Sequence, residues 1–205
     1  MDAAISQDNQ VLLSHDAYMH ANFVYRPDGQ PIAKSEEQSL RLYAMPYAEI
    51  RRYDVGSHGN PKFPQQRRLR TYKPLLAEVI DSAEAYARHT HRAAPFYSIK
   101  TKTTPAGAGL NHPSPTEFVQ LLLAVIKAKG IQNRVIMQSF DPLTLEVVHR
   151  TYPTLRTALL VENFAGLTSN LQRLSFRPSI YSPQYRLVTP ALVQACHAQR
   201  IQVIP

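Results

Sequence analysis

His15 and Asp16 close the apolar run Val11-Leu12-Leu13-Ser14 and are the chain's clearest candidates for chemistry. A short buried-type strand that ends in such a pair would present both side chains at the C-terminal rim of a (β/α)8 barrel, where they face a pocket. An imidazole there can give up and regain a proton near neutral pH. A hydrogen-bonded histidine without a chemical role is the alternative reading of the same pair. In Tyr97-Ser98-Ile99-Lys100-Thr101-Lys102, alternation puts Ser98, Lys100 and Lys102 on one face of a strand. Two ammonium groups about 7 Å apart on that face repel by roughly 2 kcal/mol at an effective dielectric of about 20. Gln138, near the end of Val135-Ile136-Met137-Gln138-Ser139, can hydrogen-bond a ligand or cap its own loop. His89 and His91 form an imidazole pair, with no third ligand at metal-site spacing.

These residues need a frame, and the chain alternates strand and helix signals. Pro74 opens a helical stretch with Leu76, Val79, Ile80 and Ala83 at helical spacing. Ser114-Pro115-Thr116-Glu117 is a capping box with proline at the first helical position. The helix that follows carries Leu121, Leu122, Val125 and Ile126 as its stripe and ends at Lys127, Lys129 and Gly130. Asp141-Pro142 and Thr189-Pro190 cap two more helices. Apolar runs at 135–139, 155–161, 178–181 and 201–204 supply strands between them. Such repetition predicts right-handed parallel βαβ units, as in a barrel or a doubly wound sheet. No Gly-x-Gly-x-x-Gly or Walker segment supports a nucleotide-binding form. Residues 17–72 break the alternation: they are rich in Tyr, Arg, Gln and Pro, and only Glu36 to Ile50 has a helical pattern. A loop of that length is expected to cover a site, so the segment reads as an insertion capping the barrel mouth.

The order of these segments resembles the glycerophosphodiester phosphodiesterase family. The stretch from Met1 to Asp8 followed by Val11 to Asp16 is similar to that family's second and third strands. Tyr97 to Lys102 is similar to the fourth strand, Val135 to Asp141 with its Ser-Phe-Asp ending to the fifth, and Ile201 to Pro205 to the start of the last. The resemblance implies a (β/α)8 TIM barrel and hydrolysis of glycerophosphodiesters to an alcohol and glycerol 3-phosphate. It implies a divalent cation, calcium or magnesium, held by three carboxylates. Here Asp2 matches one of them, Lys100 occupies the position of another, and the remaining one would precede Met1, so metal binding is expected to be weak or lost. His15 matches a catalytic histidine, and Lys102 a lysine near the substrate phosphate. The family's His-Arg-Gly and Glu-Asn-Thr motifs are missing, and the chain stops at Pro205 inside the last strand. The expectation is one partial domain, 1–205, a barrel truncated at both ends whose second and eighth strands are open edges, with low or no activity as written.

Composition narrows the alternatives. An apolar content of 44% fits a globular chain and argues against disorder. A net charge of +8 favours anionic ligands. The basic run Arg67-Arg68-Leu69-Arg70 with Lys73 reads as a solvated face, since no RNA motif or DNA-reading helix accompanies it, and no nucleic-acid partner is expected. Cys196, the single cysteine, excludes an intrachain disulfide and reads as a small buried hydrophobe. No run is long enough for a transmembrane segment. Met1-Asp2 does not open a signal peptide, so the compartment stays open: cytoplasmic, or periplasmic or secreted were a leader to precede Met1. The oligomeric state is also open. The rival functions are a non-catalytic barrel binding a phosphate ligand through Lys100, Lys102 and His15, and a basic surface for nucleic acid or anionic lipid.

Overall fold

A computed structural model describes residues 1–205. It contains seven strands: β1 Asp2–Ile5, β2 Val11–Leu13, β3 Tyr97–Thr101, β4 Val135–Ser139, β5 Arg156–Val161, β6 Ile180–Pro183 and β7 Gln202–Val203. All belong to one sheet in the order β2-β1-β3-β4-β5-β6-β7. From β1 through β3 to β7 every neighbouring pair is parallel, and the order never reverses. A doubly wound sheet would turn back at a switch point. Single winding is the barrel pattern, with helices kept to one face.

The apolar clusters confirm that sidedness. Tyr97 and Ile99 of β3 and Val135 and Met137 of β4 pack with Leu76 and Ile80 of α2 (Leu76–His89), Phe118 and Leu122 of α3 (Pro115–Ala128) and Val148 of α4 (Pro142–Thr151). Leu159 of β5 and Tyr181 of β6 continue the layer against Cys196 of the helix Pro190–Ala198, so the cysteine is a core residue. The other face of β3 carries the exposed Ser98 and half-buried Lys100, as alternation requires.

The caps form as local chemistry dictates. The Ser114 hydroxyl accepts from Glu117 N at 3.2 Å, Asp141 Oδ1 from Leu143 N at 3.1 Å, and Thr189 Oγ1 from Leu192 N at 3.1 Å. Gly130 follows α3 with φ +64°, a conformation that suits glycine just past a helix end. The helix expected from Pro74 begins two residues later, at Leu76. Leu13 N donates to Pro74 O at 2.9 Å, and Leu12 bridges Leu75, so this segment is committed to the sheet edge first.

Two expectations need correction. The Val11–Leu13 strand is not a parallel barrel strand: β2 runs antiparallel to β1 as the return arm of a hairpin. Only five residues separate the two arms, whereas a parallel crossover needs a dozen or more. β2 therefore covers β1, and its outer side is bridged to Leu75. The open edge expected at the second strand is absent. Second, Glu36 to Ile50 is not one helix. It forms the 3-10 turns Glu37–Ser39 and Leu42–Ala44 and the four-residue α1, Tyr47–Ile50, which Pro46 separates from what precedes it.

The register Asp2↔Lys100 and Ala3↔Thr101 carries β1 past the end of β3, so the hairpin projects from the C-terminal side of the sheet. The insertion wraps it there. Met19, Val24, Ile32, Leu42, Ile50 and Tyr53 form a separate apolar cluster over Ala4 and Leu12. The hairpin turn is held by Asp8 Oδ1, which accepts from Tyr47 N at 2.9 Å. No helix is long and apolar enough to cross a membrane.

Candidate active site

Backbone register brings the strand residues together. Asp2 of β1, Lys100 of β3 and Gln138 of β4 are consecutive partners across the sheet. Lys100 N donates to Met1 O at 2.8 Å and Lys102 N to Ala3 O at 3.3 Å, which lock the two strands at this level. Lys100 Nζ lies 3.5 Å from Asp2 Oδ1, with 20% and 28% of the two side chains exposed. The ammonium also sits 4.9 Å from the Phe140 ring centroid. The hairpin returns His15 and Asp16 to the same level, since Ser14 N donates to Asp2 O at 2.9 Å. His15 Nδ1 is 3.0 Å from Asp16 Oδ1, and its ring is 73% exposed.

The rim's charges interact. Burial, then the neighbouring Lys100 charge, holds the Lys102 ammonium below the usual lysine range, while Asp2 and Asp16 pull the other way. Gln138 does not cap its loop, because Ser139 and Asp141 already do so. Asp141 N donates to Ser139 Oγ at 3.0 Å, and Thr101 Oγ1 donates to the same oxygen at 2.8 Å. This leaves the half-buried Gln138 side chain in the rim layer beside Lys100.

One residue of the site was misread from sequence. Lys73 is not part of a solvated basic face but is only 7% exposed. Its Nζ donates to Ser14 Oγ at 2.7 Å, and that hydroxyl donates to Asp16 O at 2.6 Å, so Lys73 holds the His15-Asp16 turn from behind. Nothing in the run of arginines ahead of it distinguishes it. Burial pushes its ammonium down from 10.5 to about 8, with Asp16 opposing. The folded state thus binds fewer protons than the unfolded state between those values, and stability rises with pH there by up to roughly 3 kcal/mol. Tyr47 and Tyr97, pushed up to about 12 mainly by burial, reverse the trend above pH 10. Urea melts should therefore show increasing stability from pH 8 to about pH 10. Lys73→Met should flatten that rise, and unchanged pH dependence in the variant would contradict the assignment.

A singly wound barrel sheet with charged and His side chains gathered at its strand ends has the architecture of (β/α)8 barrel enzymes, whose sites lie at that face. The chain belongs to the glycerophosphoryl diester phosphodiesterase family, whose model it matches over residues 1–205. Among solved structures it is similar to a glycerophosphoryl diester phosphodiesterase of Silicibacter pomeroyi, with 24% identity, a TM-score of 0.80, and coverage of 98% of this chain and 70% of that one. A phosphodiesterase of Oleispira antarctica, solved with the product sn-glycerol-3-phosphate, is 18% identical with a TM-score of 0.69, covering 98% and 69%. A glycerophosphodiester phosphodiesterase of Galdieria sulphuraria is 16% identical with a TM-score of 0.66, covering 98% and 68%. At these identities the structural likeness concerns the fold. No curated protein matches the chain.

The family is in general divalent-cation dependent, but the residues of this rim do not fit such an ion. Calcium takes six to eight oxygen ligands and magnesium a near-ideal octahedron. No three His, Cys, Asp or Glu side chains converge here, and the Asp2 carboxylate already faces the Lys100 ammonium. A dication about 5 Å from an ammonium would be repelled by roughly 7 kcal/mol at an effective dielectric of about 20. Asp2 and Asp16 can at most offset the Lys100 and Lys102 ammonium groups, which leaves no net negative charge to hold a dication.

Proposed function

We propose that this chain hydrolyses glycerophosphodiesters to an alcohol and sn-glycerol 3-phosphate, with His15 as general acid and Lys102 and Gln138 contacting the phosphate. The observation that carries this reading is the shared level of Asp2, Lys100 and Gln138, to which the hairpin returns His15 and Asp16. Water's oxygen bonds to phosphorus and the P–O bond to the alcohol breaks. The departing alkoxide takes the His15 proton, and the proton shed by the water restores the imidazole through solvent. Residues 17–72, wrapped on the projecting hairpin, would cover the substrate's alcohol portion. His15 and Asp2 are a partial set of the groups that the family resemblance implies, and such groups act as a unit, so turnover should be slow.

Phosphorus and proton NMR of the chain with glycerophosphocholine, which read the phosphate-bearing and the phosphorus-free products respectively, test this. Glycerol 3-phosphate and choline should accumulate in equal amounts. Phosphocholine with glycerol, or no conversion above the enzyme-free control, would overturn it.

A further inference from the structure

We infer that Lys100 takes the place of a divalent cation, so that this rim binds a phosphoester anion through the Lys100 and Lys102 ammonium groups with no metal ion. This inference rests on the reading of the rim as a phosphoester site, and it differs from that reading in concerning binding alone.

Three observations carry it. The strand register sets Lys100 between Asp2 and Gln138, in the layer where a ligand at the strand ends would sit. Its ammonium is held but not consumed. The 3.5 Å separation from Asp2 Oδ1 exceeds a normal charge-assisted hydrogen bond, and Phe140 flanks another side at 4.9 Å. With three donors on the ammonium, at least one remains for an incoming oxygen. Finally, Lys102 lies two residues further along the same face. With the buried Lys73, three ammonium groups stand against the Asp2 and Asp16 carboxylates, which leaves an excess of positive charge to meet a phosphate. Asp2 then orients Lys100 and need not ligate a metal.

The experiment is calorimetric titration of the chain with sn-glycerol 3-phosphate and with glycerophosphocholine, first in EDTA and then with added calcium or magnesium. Binding should be present in EDTA and no tighter with either cation. Lys100→Gln should weaken it by about 10- to 100-fold, the equivalent of one charged hydrogen bond, and Lys100→Arg should restore most of the loss. Thermal melts of both variants establish that they fold. Binding that requires calcium or magnesium would overturn the inference and leave the hydrolytic reading standing. Binding in EDTA that Lys100→Gln weakens, without turnover of glycerophosphocholine, would support the inference and overturn the hydrolytic reading. Equal affinities of wild type and Lys100→Gln, or no binding of either ligand under any condition, would also overturn the inference.

Discussion

Glycerol 3-phosphate release should fall by about 10² to 10⁴ when His15 is replaced by alanine, the usual contribution of a positioned general acid. The hairpin gives the ring its place, and Asp16 gives it direction. With Nδ1 3.0 Å from Asp16 Oδ1, Nε2 is left to carry the proton toward the leaving alkoxide. The loss should appear in kcat, because in the proposed binding mode Lys100 and Lys102 hold the anion and are untouched. Asp16→Asn should cost less, since the imidazole remains and only its orientation suffers. The substitution should leave the thermal melt unchanged, because the ring is 73% exposed and makes its ion pair at the surface. A steady-state comparison of wild type, His15→Ala and Asp16→Asn, with melts alongside, measures this. An unchanged kcat in His15→Ala would remove His15 from the reaction.

The largest effect on stability is expected at Phe118. Its side chain is fully buried in the layer between α3 and strands β3 and β4, among Ile99, Met137 and Leu122. Phe118→Ala should cost about 3–5 kcal/mol, combining lost burial with the cavity left behind. In a chain of this size that lowers Tm by roughly 10 °C, and against a total of about 5–15 kcal/mol it threatens folding at growth temperature. The consequence reaches the rim. Phe118 meets the His112 ring edge-on at 6.2 Å. His112 donates from Nδ1 to Pro113 O at 2.8 Å, and its Nε2 accepts from Thr104 N at 3.0 Å. Those bonds fold the loop that follows Lys102. Gly107 fits under the same ring, where a Cβ would come within 2.7 Å of Nε2. Phe118→Leu, which keeps most of the volume, should retain most of the stability. Calorimetric melts of the two variants would check the ordering, and a Phe118→Ala Tm within about 2 °C of wild type would contradict it.

What the sequence by itself determined is mostly local. Ser114, Asp141 and Thr189 each cap the helix that their own following residues begin, so nothing distant can change the outcome. The alternation in Tyr97 to Lys102 fixes which side chains share a face, and it placed Lys100 with Lys102 before any fold was in view. The order of short motifs also carried the family. The direction of β2 was within reach too, because five residues cannot make a parallel crossover, but its three apolar residues have no periodicity that distinguishes a barrel strand from a hairpin arm. Tertiary structure decided the rest, since it depends on contacts between residues far apart in the chain. Lys73 looks like its neighbouring arginines, and only its meeting with Ser14, 59 residues away, buries it. Lys100 could have faced solvent, and the register with Asp2 turned it into half of an ion pair. Charge is written in the sequence, but the partner of a charge is set by packing, and at this rim the partner determines what the site can hold.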